Sequence, residues 1–316
     1  MKIGFLFPGQ GSQAHLMGKD LYDKYECYRN VYKQVEQITG IDVSEITFNE
    51  TDDRINQTKY TQICILTMSL GILEILKQNN INAEISAGLS LGEYPALIYS
   101  NLLNAENGIQ IVKNRGIYMQ DLAPKGDWAM SAILGLDDDK VEQACNMVTD
   151  GFVVPVNYNC KGQVVISGEA RAVEQASENA KQLGAKKARI LNTSGPFHTE
   201  KLIESAKALK NDLSKITFGT ETSKVLKNID GDFYNENDDF ASLLMKHIIS
   251  PVKFSKVLET MLDNDVDTFI EIGPGKTLSG FVKRMDTEKE INILNINDIE
   301  SLEKAINFVK ENENNE

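Results

Sequence analysis

A serine between two glycines is the residue of this sequence best placed for covalent chemistry. The segment GLSLG at residues 88–92 follows a predicted buried strand and precedes a helical run, which matches the G-x-S-x-G pattern of a nucleophile elbow. On such a turn the Ser90 hydroxyl points into a cleft. The amide of Leu91 then lies at the positive end of a helix, where an oxyanion can be held. Taken alone, the pentapeptide is also compatible with an ordinary glycine-rich turn.

A serine nucleophile needs a base within hydrogen-bonding distance, and the sequence contains only His15, His198 and His247. His198 follows a Gly-Pro-Phe turn and precedes a predicted helix, whose dipole disfavours protonation and so favours a neutral base. The triad order of a general α/β-hydrolase leaves both His198 and His247 as candidates. From the residues alone, a purely structural role is equally open for each histidine.

The elements that must position these residues alternate between strand and helix, as in an α/β protein. Hydrophobic spacing predicts strands at residues 3–7, 85–89 and 266–272, and helices at residues 60–77 and 105–122. The middle of the chain has the order strand, helix, strand, strand, helix, strand, which is typical of a ferredoxin-like unit; these elements are predicted at residues 130–134, 138–148, 153–157, 164–167, 170–183 and 188–191. We therefore expect an α/β-hydrolase-like large subdomain with a parallel sheet (residues 1–125 and 193–316) and an inserted ferredoxin-like small subdomain (residues 126–192).

Composition and charge restrict the class of protein. The 316 residues are 41% hydrophobic and 25% charged, which is ordinary globular usage. A net charge of −13 argues against nucleic acid as a partner. The absence of a long uninterrupted apolar stretch and of a signal-peptide pattern predicts no membrane association and a cytoplasmic location. Four scattered cysteines and three scattered histidines predict free thiols and no metal site.

A series of further motifs surrounds the serine turn. They are FPGQGSQ at residues 7–13, GLSLGEY at 88–94, RG at 115–116 with MQ at 119–120, VNYN at 156–159 with GQVVISG at 162–168, GPFH at 195–198, PV at 251–252 and EIGPGK at 271–276. In their order and spacing, up to about Met285, these motifs resemble the malonyl-CoA:acyl-carrier-protein transacylases of fatty acid synthesis. Any one of them alone would be a weak signal.

The resemblance implies a Ser–His dyad in which Ser90 is acylated and His198 is the general base. It implies that the backbone carbonyl of His247 orients the base, at a position where the family usually has glutamine; from the residue alone, His247 is a structural residue at a helix end. It also implies an oxyanion hole formed by the backbone amides of Gln10 and Leu91, each worth about 2.7–4 kcal/mol of transition-state stabilisation.

The resemblance further implies that Arg115 binds the free carboxylate of malonate, although an arginine in a helix is commonly solvated or ion-paired. A planar guanidinium can make two parallel hydrogen bonds to a carboxylate, which supports this role. Asn157 would line the site, with a turn residue at a strand end as the alternative. Phe197 and Leu91 would leave little room for a methyl branch on the acyl group.

Two positions depart from the family pattern. Leu89 precedes the nucleophile where the family usually has histidine, so a polar side chain is replaced by an apolar one. Lys161 stands where proline is common. Neither change removes the dyad, but the change at Leu89 bears on solvent access and acyl preference.

The expected activity is transfer of malonyl from malonyl-CoA to the phosphopantetheine thiol of acyl carrier protein through malonyl-Ser90, by a monomeric enzyme without a metal or redox cofactor. The carrier protein of this family is acidic, so basic residues are candidates for docking it, with a merely solvated charged face as the alternative; these residues are Lys186, Lys187, Arg189, Lys283 and Arg284. The alternatives are a hydrolase that clears acyl groups from carrier protein, an acyltransferase that serves a polyketide synthase, and a non-catalytic docking module.

Overall fold

Ten strands in two five-stranded sheets organise the computed structural model, which describes residues 1–191 and 195–313. The predicted subdomain boundary at residues 192 and 193 lies outside the described residues, and the predicted division into subdomains stays a prediction. The strands are β1 Ile3–Phe7, β2 Ile85–Gly88, β3 Trp128–Leu134, β4 Val153–Cys160, β5 Gln163–Glu169, β6 Lys187–Ile190, β7 Lys224–Val225, β8 Val252–Lys253, β9 Thr268–Ile272 and β10 Asn292–Ile296.

The first sheet is parallel throughout, in the order β10-β9-β1-β2-β7. Its central strand β1 is buried at every position, as expected for a strand covered on both faces, and this explains its uninterrupted apolar sequence. The carboxyl ends of β1 and β2 lie side by side, with Phe7 paired to Gly88. Ligands of open parallel sheets bind at this edge, so the loops after these two strands are the expected place for a site.

Helices cover both the sheets and one another. They are α1 Lys19–Lys24, α2 Glu26–Thr39, α3 Val43–Phe48, α4 Thr58–Gln78, α5 Glu93–Tyr99, α6 Ala105–Asp121, α7 Asp138–Asn146, α8 Ala170–Gln182, α9 Ile203–Leu213, α10 Phe240–Ile249, α11 Phe254–Asp263, α12 Thr277–Val282 and α13 Ile299–Glu313. Within residues 1–191 and 195–313, only α4 is long and apolar enough to cross a membrane by length and composition. Because 83% of its apolar window is buried inside the protein, it has the environment of a core helix, packed against α2 and α6.

The second sheet contains the predicted βαββαβ unit. Its strands β6-β3-β5-β4 pair antiparallel in the order of a ferredoxin-like fold, so the predicted α/β architecture with a parallel sheet and a second, ferredoxin-like sheet is confirmed. A fifth strand was not predicted: β8 joins β4 in parallel register, with Asn157 opposite Val252. Its two residues follow a proline and are too short a run to show strand periodicity in the sequence. The small sheet is therefore completed by a strand from outside residues 126–192.

Candidate active site

The nucleophile elbow depends on two close backbone contacts at its glycines. Ser90 has φ +53°, a left-handed conformation that is uncommon for a residue with a side chain. A Cβ atom on Gly88 would lie 2.0 Å from the Gly92 carbonyl oxygen, and one on Gly92 would lie 2.0 Å from that of Phe7. Only glycine fits at both positions, which accounts for the G-x-S-x-G spacing and presents Ser90 above the end of β2.

His198 is within hydrogen-bonding distance of the serine. The Ser90 Oγ and His198 Nε2 atoms are 2.8 Å apart, and the His198 Nδ1 is 3.0 Å from the backbone carbonyl oxygen of His247. Since a carbonyl only accepts, Nδ1 carries the proton and Nε2 accepts from the serine hydroxyl. The structure thus contains a Ser–His dyad in which a main-chain group, rather than a carboxylate, orients the imidazole.

The environment of His198 keeps its ring neutral. Burial is the main cause, and the positive charge of Arg115 adds to it, so that the pKa of His198 is lowered to about 4; hydrogen bonds to the backbone of His247 and Ser250 act in the opposite direction. A base that is unprotonated at neutral pH can accept the serine proton. The sequence argument for a neutral base relied on a helix end, whereas the structure adds burial and a neighbouring cation.

Arg115 is buried beside the nucleophile without a carboxylate partner. It lies on α6 with 1% of its surface exposed. Its Nη2 donates to Ser90 Oγ at 3.1 Å and its Nη1 donates to Gln62 Oε1 at 2.7 Å, while Tyr94 lies under the guanidinium. Among residues 1–191 and 195–313 no acidic side chain lies within ion-pair distance of Arg115, and its Nε has no hydrogen-bond partner. A buried cation in this state can bind an anionic ligand.

A cavity of about 230 Å³ opens above the dyad, between the two sheets. Gln10, Asn157 and Phe197 all line it together with Ser90 and His198, so four elements far apart in sequence meet there. The Gln10 side chain donates to Thr58 Oγ1 at 3.0 Å, which holds the loop after β1 against α4. The Leu91 side chain is buried and does not line the cavity.

His247 lies directly behind the base. Its ring stacks on that of His198 with a centroid distance of 5.4 Å, and its Nδ1 is 3.5 Å from the Glu93 carboxylate. Burial lowers the pKa of His247 well below its usual value, and burial raises the pKa of Glu93 to about 7. Within the described chain neither ring nitrogen of His247 has a hydrogen-bond partner, so the neutral ring serves as packing while its carbonyl contacts the base.

The two departures from the family pattern occupy different environments. Leu89 lines the cavity and packs against the hydrophobic cluster that includes Leu278 and Phe281. Its apolar side chain therefore faces apolar neighbours. Lys161 is exposed and its Nζ is 2.5 Å from Asp286, an ion pair that links the β4–β5 turn to the segment after α12.

Three polar residues of the site were not predicted from the sequence. Gln62, on α4, accepts a hydrogen bond from Arg115. A glutamine inside an otherwise apolar helix is a sequence signal that could have indicated a buried polar contact. Glu93 is in the GLSLGEY motif and is buried, although glutamate is rarely fully buried unless it is paired; here it accepts from Asn228 and Tyr234. Asn228 contacts the Ser90 backbone from the loop after β7, which lacks any local pattern. No group of three or more His, Cys, Asp or Glu side chains suited to a metal occurs in the part of the chain that the structure describes.

Comparison with known proteins gives consistent matches over nearly the whole chain. The model of the acyl transferase domain family matches residues 4–305. The malonyl CoA-acyl carrier protein transacylase of Bacillus subtilis (strain 168) is 38% identical over 316 residues, covering 99% of each chain. The crystal structure of the transacylase of the same name from Clostridium perfringens superposes with a TM-score of 0.93 at 41% identity, covering 99% of this chain and 98% of the other.

A second solved structure is a malonyl-transacylase in complex with its type II PKS acyl-carrier protein. It has a TM-score of 0.93 at 32% identity and covers 98% of this chain and 100% of that chain. The resemblance to the malonyl transacylases is thereby confirmed. On this evidence the chain belongs to the acyl transferase family.

Proposed function

We propose that this protein transfers malonyl groups from malonyl-CoA to the phosphopantetheine thiol of acyl carrier protein, for fatty acid biosynthesis. The relatives reported above are named for this reaction, and one of them is bound to its carrier protein. The observation that carries the proposal is the buried Arg115 guanidinium, whose Nη2 is 3.1 Å from the nucleophilic oxygen and which has no carboxylate partner among the described residues.

In the first half-reaction, His198 Nε2 takes the proton of Ser90 as the hydroxyl oxygen attacks the thioester carbon of malonyl-CoA. The backbone amides of Gln10 and Leu91 hold the resulting oxyanion. The intermediate then collapses, the CoA sulfur leaves with the proton from His198, and malonyl-Ser90 remains. The carbonyl of His247 keeps the imidazole in the productive tautomer and orientation throughout.

In the second half-reaction, the phosphopantetheine thiol of the carrier protein attacks malonyl-Ser90. His198 takes the thiol proton and returns it to Ser90 when the ester breaks, which restores the resting enzyme. Both thioesters carry the same pantetheine arm, so one cavity serves both steps. The predicted monomeric state, cytoplasmic location and lack of nucleic-acid or membrane partners stay predictions.

Arg115 supplies the selectivity for malonyl over acetyl. Its guanidinium pairs with the free carboxylate of the malonyl group, whereas an acetyl group leaves the buried cation without this partner. Asn157 and Phe197 line the remaining walls of the acyl pocket, and Phe197 restricts its width near the nucleophile. The predicted contribution of Leu91 to this restriction is not supported, because its side chain does not line the cavity.

The test measures covalent labelling of the protein by malonyl-CoA and by acetyl-CoA with intact-mass spectrometry. We expect a stable malonyl adduct that is lost in Ser90→Ala. In Arg115→Ala the malonylation rate should fall by about 10- to 100-fold, in line with the loss of a buried charge-assisted pair, while acetylation should not fall. Lys113→Ala removes a cation two residues away on the same helix and should leave both rates unchanged.

Two of the alternatives, the hydrolase and the non-catalytic docking module, have their own results in this experiment. Rapid release of free malonate without transfer to carrier protein indicates a hydrolase, and no adduct with either thioester indicates a non-catalytic protein. An equal loss of malonyl and acetyl labelling in Arg115→Ala would contradict the carboxylate role of Arg115.

A further inference from the structure

Asn228 connects the backbone of the nucleophile elbow to the rest of the site. It is fully buried, and all four of its polar groups are paired. Its side-chain amide donates to the Gly88 carbonyl at 2.7 Å and its side-chain oxygen accepts from the Ser90 amide at 2.8 Å. Its backbone N–H donates to Glu93 Oε2 at 2.9 Å, and its carbonyl accepts from the Lys253 amide at 2.7 Å.

The two side-chain bonds span the strained part of the turn. The backbone of Ser90 is in the left-handed region. A residue with a side chain keeps this conformation only when the surrounding structure holds it there. The Asn228 amide bridges the residues on either side of Leu89, so the elbow cannot relax without breaking both bonds. The direction of the Ser90 side chain toward His198 therefore depends on a residue 138 positions away in sequence.

The Glu93 carboxylate extends this connection to the base. One of its oxygens accepts from the Asn228 backbone and also lies 3.5 Å from His247 Nδ1, while the other accepts from the Tyr234 hydroxyl. His247 provides the carbonyl that contacts His198. One buried carboxylate thus accepts a hydrogen bond from the residue that holds the nucleophile and packs against the ring of the residue that orients the base.

We propose that Asn228 is a positioning residue that aligns Ser90 with His198, and that Glu93 fixes Asn228 relative to His247 so that the two supports act as one unit. The inference rests on the proposed acyl transfer at Ser90. It assigns a catalytic consequence to two residues that contact neither the substrate nor the reacting atoms.

A purely structural role for Asn228 is the competing explanation, since its loop is also held by ion pairs. Lys227, the preceding residue, is buried and lies 3.5 Å from Asp230 and 3.8 Å from Asp238. Lys227→Met breaks these pairs without touching the elbow. It is the matched control, because it weakens the same loop but leaves the Asn228 side-chain bonds in place.

The experiment separates the number of active sites from the rate at each site. Malonyl-CoA and phenylmethanesulfonyl fluoride are used in turn to modify Ser90, and mass spectrometry gives the final amplitude and the first-order rate. For Asn228→Ala we expect a rate about 10- to 100-fold lower at nearly full amplitude, because a small displacement of reacting atoms has effects of this size. Lys227→Met should lower the melting temperature but keep the rate per site within about twofold.

Glu93 is tested by rescue and by combination. Glu93→Ala should lower the rate per site as Asn228→Ala does, whereas Glu93→Gln should recover most of that loss because its amide oxygen still accepts from Asn228. The double variant Asn228→Ala/Glu93→Ala should be no slower than the slower single variant, since both changes remove one unit. If Asn228→Ala does not fold, Asn228→Asp takes its place: it keeps the acceptor for Ser90 but places a carboxylate oxygen against the Gly88 carbonyl.

An unchanged rate per site in the Asn228 variants, or a loss confined to the amplitude, would overturn the inference. If the rate losses of the two single variants multiply in the double variant, Asn228 and Glu93 act independently. This result would overturn the inference that they form one unit. Failure of the proposed function has a different signature: the unmutated protein would take no malonyl group, while sulfonylation would still report how well Ser90 is positioned.

Discussion

At the scale of single residues, the low pKa of His198 has a measurable consequence. Burial and the Arg115 charge lower this pKa to about 4, so the ring becomes protonated, and unable to accept the serine proton, only as the pH falls through that value. Sulfonylation of Ser90, which uses a neutral reagent, should therefore stay constant down to about pH 5 and decline with an inflection near pH 4. In Arg115→Ala the inflection should move upward, because a positive charge beside the ring is gone. An inflection at the ordinary histidine value in both proteins would contradict this account.

At the scale of structural elements, the elbow depends on the close approach of the turn to β1. A Cβ on Gly92 would lie 2.0 Å from the Phe7 carbonyl oxygen, whereas one on Gly280, in α12, would meet nothing within 4 Å. Gly92→Ala should destabilise the fold by about 1–3 kcal/mol through overpacking, and it should slow acylation because the turn must shift. Gly280→Ala should instead stabilise the protein by about 0.5–1 kcal/mol, as helix propensity predicts. Urea unfolding measures the free energy of unfolding of both variants. Equal changes in Gly92→Ala and Gly280→Ala would refute the steric explanation.

At the scale of the whole molecule, the net charge of −13 requires a local basic surface if an acidic carrier protein is to dock. The five candidate basic residues are all exposed, and Arg284 donates to Gln163, which lines the cavity. Lys283→Glu/Arg284→Glu should raise the KM for carrier protein by about fivefold or more, in a salt-dependent way. Lys33→Glu on α2, a charge reversal elsewhere on the surface, should not raise it. A rise in the KM for malonyl-CoA alone would show that these residues bind the phosphates of CoA instead.

Only the features that depend on local sequence patterns or on family motifs could be predicted from the sequence. The strands β1 and β2 and the βαββαβ unit were predicted nearly to their ends, because hydrophobic spacing is a local property. Ser90 and Arg115 could be selected because they lie in motifs that resemble a known family. Asn228 could not, since its contacts to residues 88, 90 and 93 arise only when β7 adds to the edge of the parallel sheet. Strand β8 was missed for the same reason: its two residues become a strand by pairing with β4.

The pairing of β8 with β4 links the catalytic base to a wall of the cavity. The segment from His247 to Lys253 supplies both the acceptor for the imidazole and the ladder that attaches the ferredoxin-like sheet. The cavity wall that contains Asn157 is thus paired through its main chain with residues 247–253, the same segment that orients the imidazole of His198. The two sides of the cleft that a substrate arm enters are therefore joined through main-chain pairing. In the proposed reaction the malonyl-CoA donor and the carrier-protein thiol that accepts the malonyl group therefore meet the same cleft walls, while the Arg115 charge discriminates between malonyl and acetyl groups.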